Sequence, residues 1–159
     1  MSQGQYSFTV DDLFQGEIPK QLIVGVVSSS AHHGNYKKNP YNFQHFNCNY
    51  SGFFVDGQSV PTDPLQPNYK GDNFIDVYDR LYPDTKQRAV EIIRAEFKNV
   101  FCVYVFDIDG DHRDRDIQRG HTRLELQFTD PLPEPCTVIV YAQFPALMKI
   151  DSNRNVTLE

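Results

Sequence analysis

At 159 residues, with a formal net charge of −6, 13% aromatics and no tryptophan, the chain is the length of one domain, and a globular chain of that size buries about 70% of its unfolded surface without staples. No Lys/Arg block exceeds Lys37-Lys38, which removes the electrostatic footprint expected of a direct nucleic-acid binder. No apolar run approaches the ~18 residues of a membrane-spanning helix, and the first residues lack a basic segment followed by an apolar one, so neither a membrane partner nor a classical secretion signal is expected.

One domain over 1–159 is therefore the expectation, and its 12 Phe and 9 Tyr tilt it toward β structure. Residues 7–11 form a short strand. Residues 20–28, Lys-Gln-Leu-Ile-Val-Gly-Val-Val-Ser, are almost continuously apolar, which suits a strand covered on both faces. A polar loop follows to residue 39. From Phe46 a loose period of two predicts a long strand to Val55, bulged at Gly52, and Asp56-Gly57 supplies a tight hairpin turn. Pro61, Pro64 and Pro67 then rule out regular structure and predict a connection running over the surface. Residues 73–78 alternate like a strand. Residues 83–98 carry the predicted helix, with Val90, Ile93, Phe97 and Val100 at helical spacing and a weak capping box at Asp84 and Gln87.

Residues 100–108 read as a strand entering an acidic loop, and Arg123 to Phe128 alternate so that Leu124, Leu126 and Phe128 share one face. Pro131, Pro133 and Pro135 stiffen the next turn before a strand at 137–144, a short one at 147–150 and a polar tail. About eight strands with one short helix predict an all-β fold, a jelly-roll β-sandwich.

Chemistry-bearing patterns are sparse. Asp107, Asp109 and Asp111 space carboxylates as calcium ligands do, but His112 and Gln118 stand where an EF-hand needs Gly and Glu, so a solvated loop is the leading expectation and a metal site a weak one. His32 and His33 are adjacent and point apart when extended. His45 and His121 are the only strand-proximal candidates for a cupin-like metal enzyme, and they lack the spaced cluster that chemistry requires. The three cysteines, 48, 102 and 136, each sit in an apolar run and read as buried free thiols, as in a reducing compartment. No nucleophile elbow or phosphate loop occurs. No cofactor and no enzymatic activity are expected.

A set of separated motifs carries a resemblance. Residues 19–27, Asn39-Pro-x-Asn-Phe-Gln-His-Phe46, Val55-Asp-Gly-Gln58, Pro64-Leu-Gln-Pro67, Phe106-Asp107, Leu124-Glu-Leu-Gln-Phe128, Pro131-Leu-Pro133, Val140-Tyr-Ala-Gln-Phe144 and Ile150-Asp-x-Asn-Arg-Asn-Val156 together resemble the C-terminal jelly-roll block of the major capsid proteins of Maverick/Polinton elements and adintovirus-like viruses, including their homologues in animal genomes. The similarity runs over about residues 12–156. The chain departs from the pattern in being shorter, and in placing a compact helical segment at 83–98 where the family has a Gly-rich connection.

The resemblance implies a structural protein of a transposable element or virus that self-associates into symmetric oligomers or capsomers, a trimer favoured, with other capsid proteins as further partners. It implies a place in the virion or in the host cytoplasm or nucleus. The subunit-contact candidates are Tyr36, Pro40, Tyr41, Phe43, Phe46, Pro64, Leu65, Pro67 and Tyr69, because aromatic and proline-fixed loops bury large area at low entropy cost. The alternative is a host-adopted, non-catalytic β-sandwich that binds a protein or glycan.

Overall fold

The computed structural model describes residues 1–82, 92–108, 119–146, 148–150 and 154–158. Its strands are β1 (Ser7–Asp11), β2 (Gln21–Ser28), β3 (Cys48–Val55), β4 (Gln58–Ser59), β5 (Val103–Asp107), β6 (Thr122–Phe128), β7 (Cys136–Gln143), β8 (Met148–Ile150) and β9 (Val156–Leu158). Three short helices join them among the described residues, where one was expected: α1 (Ser29–His32), α2 (Ile75–Asp79) and α3 (Arg94–Asn99).

These named strands pair antiparallel, in a sheet of order β1-β6-β3-β4, a second of order β5-β2-β7 and a separate β8-β9 hairpin. The two larger sheets make the expected all-β sandwich. β6 shows why: its period of two buries Leu124, Leu126 and Phe128 while Arg123, Glu125 and Gln127 face outward. Opposite it, β2 buries Leu22, Val24 and Val26, and β5 buries Tyr104 and Phe106. Phe53 of β3 meets Phe106 across the sheets with ring centroids 6.3 Å apart.

Several elements differ from expectation for identifiable reasons. The bulge of β3 lies between Cys48 and Tyr50, not at Gly52. The extra residue there turns Cys48 inward and leaves Tyr50 beside Gly52, whose missing Cβ would lie 3.0 Å from the Tyr50 hydroxyl. Asp56 and Gly57 do make the tight turn, at φ +50° and +81°, which sets Val55 opposite Gln58. The polar loop after β2 contains the single helical turn α1.

The proline-rich connection is not a surface strap. Leu65, Pro67 and Tyr69 are buried while Gln66, Asn68 and Lys70 are exposed, and Ser51 and Leu65 exchange two backbone hydrogen bonds of 2.9 Å. Prolines exclude continuous pairing but not an extended chain that alternates its sides. Residues 73–78 are not a strand either. Phe74, Val77, Tyr78 and Leu81 follow the i, i+3, i+4, i+7 spacing of a helix, and α2 turns Phe74 and Val77 inward while Ile75 stays 51% exposed.

Of the helix expected over 83–98, only the end from residue 92 onward falls among the described residues. Ile93 is extended (φ −73°, ψ 152°), so α3 starts at Arg94 and buries Phe97 alone, while 83–91 lie outside the described residues. The tail is not wholly irregular: β9 pairs back on β8.

Candidate functional site

The loops expected to make contacts are built on a fixed base. Phe43 lies over the outer face of β2 at Gly25, where an added Cβ would come within 2.6 Å of its ring. That close approach requires glycine in mid-strand. Gln44 then donates its backbone N–H to the Val26 carbonyl at 3.0 Å, and Cys102 donates to the Phe43 carbonyl at 3.1 Å, which stitches the loop between β2 and the start of β5.

Behind this loop stands a column of four rings. His45 stacks on Tyr69 at 4.2 Å between centroids, Tyr69 on Phe74 at 5.3 Å, and Phe74 on Phe97 at 6.0 Å. Arg94 covers the Phe74 ring at 4.8 Å, while Arg94 and Lys98 both reach the Asp72 carboxylate, at 3.0 and 3.1 Å. The His45 Nδ1 accepts the Asn47 N–H at 2.8 Å, supporting Phe46 and Asn47 at φ +44° and +54°. Burial, aided by the Lys98 charge, lowers the His45 pKa. A neutral ring with Nδ1 as acceptor is the form that fits the turn.

From this base Tyr36 and Tyr41 project, 90% and 71% exposed. Asn35 and Asn39 side chains accept the Lys37 and Tyr41 N–H groups, each at 2.9 Å, so each tyrosine sits in a local Asx turn rather than on a free chain. Pro40 is exposed, Phe43, Phe46 and Pro64 are half-buried, and Leu65, Pro67 and Tyr69 are buried. As surface contacts the last three are corrected: their bulk closes the protein's own core.

A polar cleft of about 240 Å³ opens beside the same loop, with Ser28, Lys38, Asn42, Gln44 and Glu134 in its walls. Lys38 Nζ bonds Glu134 at 2.6 Å and Ser28 Oγ at 3.0 Å, and Ser28 Oγ donates to Glu134 at 2.9 Å. The hydrogen bonds from Lys38 and Ser28 hold the Glu134 carboxyl below its ordinary pKa. A serine beside a lysine suggests a nucleophile and its base, but an ion-paired ammonium has no lone pair to accept the serine proton. The cleft offers charge and amide groups for holding a polar ligand.

Elsewhere, Tyr69, Cys102 and Tyr104 form a buried phenol and thiol cluster, with Tyr69 Oη 3.1 Å from Cys102 Sγ and 3.3 Å from Tyr104 Oη. Burial pushes the Cys48 and Cys102 thiols up to about 11 and about 12 and raises both phenols. Such thiols stay protonated and unreactive. All three cysteines are free and buried, as the sequence suggested. His121 is exposed and donates its backbone N–H to Asp56 Oδ1 at 2.9 Å.

No cluster of three or more His, Cys, Asp and Glu groups that could hold a metal occurs among the described residues. Asp107 is exposed at the end of β5, while Asp109 and Asp111 lie outside the described residues.

The chain is 21% identical over 164 residues to "Uncharacterized protein F54H12.2" of Caenorhabditis elegans. The match covers 96% of this chain and 39% of that protein, so the chain spans about two fifths of the relative's length. No protein-family model and no solved structure matches it.

Proposed function

We propose that the chain is a structural protein of viral capsid ancestry, a β-sandwich of jelly-roll type that self-associates into symmetric oligomers through its loops and outer faces. The observation that carries this reading is the pair of exposed tyrosines, Tyr36 and Tyr41, set on a loop anchored by Phe43 against Gly25. Rigid, amphipathic aromatic side chains give up little entropy on contact, which is what an assembly surface needs. The ancestry rests on the order of the sequence motifs.

Light scattering on a size-exclusion peak, followed by negative-stain imaging of that peak, tests it. A trimer or larger symmetric particle is the expected result, and replacing both Tyr36 and Tyr41 by Ser is expected to weaken association at least tenfold, roughly the loss of one anchor. A strict monomer at high concentration would sink the reading. The cleft at Ser28, Lys38 and Glu134 favours a second reading, a non-catalytic binding module for a protein or glycan. That reading predicts a monomer that retains a polar ligand and loses it when Glu134 is replaced by Gln.

A further inference from the structure

The β8-β9 hairpin is two-faced. Its register sets Met148 opposite Leu158 and Ile150 opposite Val156, with Lys149 opposite Thr157 between them. Cross-strand partners share a face and neighbours along a strand do not, so Met148, Ile150 and Val156 occupy one side and the polar pair the other. Met148, Ile150 and Val156 are 59%, 64% and 58% exposed. An isolated two-stranded hairpin is marginal in water unless a face is covered.

A second apolar area lies open on the same chain. β2 is apolar on both faces, as a strand covered from both sides would be. Its outer side is roofed by Phe43 at Gly25, but Ile23 is only half-buried. Ile23 pairs with Tyr141, and Gly25 with Ile139. Ile139 is half-buried and Tyr141 is 61% exposed. These three side chains form a strip on the outer face of the second sheet, ending at the free edge of β7.

In its own chain the hairpin leaves the apolar side chains of Met148, Ile150 and Val156 open to solvent. Phe144 is held edge-on against Phe14 at 5.3 Å, the Gln143 carbonyl accepts the Lys20 N–H at 2.7 Å, and Pro145 stiffens the exit. We propose that the apolar face of the hairpin docks on the Ile23, Ile139 and Tyr141 strip of a second copy of this chain. The inference rests on the self-association reading above and assigns it a specific contact.

Area favours a copy over an unrelated partner. Exposed side chains of this size offer on the order of 100 Å² each, so a one-way contact falls short of the roughly 1,200 Å² of a specific interface. Two copies exchanging hairpins double the contact.

Single-cysteine probes test the arrangement, since Cys48, Cys102 and Cys136 are buried at 1%, 0% and 0% exposure. Full-length Ile150→Cys and Tyr141→Cys proteins are mixed and treated with a short bismaleimide, then resolved by denaturing electrophoresis. A cross-linked dimer several times stronger in the mixture than in either protein alone is expected. Ile150→Asp is expected to weaken association at least tenfold, and Thr157→Lys on the polar face to leave it unchanged, with both variants keeping the wild-type circular dichroism. An oligomer that persists in Ile150→Asp, without the mixed cross-link, overturns the hairpin contact and leaves self-association standing. A wild-type protein that stays monomeric overturns both.

Discussion

Gly25, His45 and the cysteines show how single positions carry the local architecture. A methyl group at Gly25 would come within 2.6 Å of the Phe43 ring, and overpacking of this kind costs about 1–3 kcal/mol. Gly25→Ala is therefore expected to lower the free energy of unfolding, read from denaturant titrations, by that amount. The cost should shrink in a Phe43→Ala background, because the ring that is struck has gone. At His45 the lowered pKa means that the unfolded chain binds the proton more readily. Stability is then full above the ordinary histidine range near pH 6.5, falls as the pH drops below about 6.5, and levels off once the folded form protonates. Denaturation curves between pH 7.5 and 5 should show this fall, and His45→Phe, which keeps a ring against Tyr69, should flatten it. The thiols make a simpler test. A thiol reagent such as DTNB is expected to find none of the three in the native protein and all three after denaturation.

Among the elements, α2 gives the sharpest test of period. In a strand, Ile75 and Val77 would share a face; in a helix they do not. Val77 is buried at 1% exposure and Ile75 is 51% exposed. Val77→Lys is expected to destabilise by more than about 3 kcal/mol, since it places an unpaired charge in the core, whereas Ile75→Lys should stay within about 0.5 kcal/mol. Equal effects from the two substitutions would return this segment to a strand. The two periods were hard to separate in the sequence because five residues satisfy either one. What separates them is Leu81, which continues the helical spacing of Phe74, Val77 and Tyr78 one turn further.

At the scale of the whole molecule, the sandwich and the hairpin are separable. β8 and β9 pair with each other, and among the described residues Met148, Ile150 and Val156 belong neither to the core cluster nor to the side chains packed against it. A variant ending at Ala146 is accordingly expected to keep its melting temperature within about 2 °C, since none of the described residues beyond it belongs to the core cluster. The same truncation should weaken association if the hairpin is the connecting element. A large fall in melting temperature would show instead that the hairpin braces the fold in its own chain.

The sequence alone determined the strands marked by an apolar run or by side chains that alternate between core and water. β1, β2, β6 and β7 lie within a residue or so of their expected bounds, and the turn at Asp56-Gly57 is where glycine chemistry puts it. Each of these rests on local physics, an apolar run, a period of two or a positive φ, that neighbouring residues suffice to encode. The buried state of the cysteines was legible for the same reason, from the apolar runs that hold them. Tertiary structure alone decided what happens where the local signal is ambiguous or long-range. Leu65, Pro67 and Tyr69 looked like surface loop residues, but Leu65 pairs with Ser51 and Tyr69 stacks in the column from His45 to Phe97. Likewise, the cleft at Ser28 and Glu134 joins residues 106 positions apart. Contacts of that separation depend on how the sheets stack, and no short stretch of sequence encodes it.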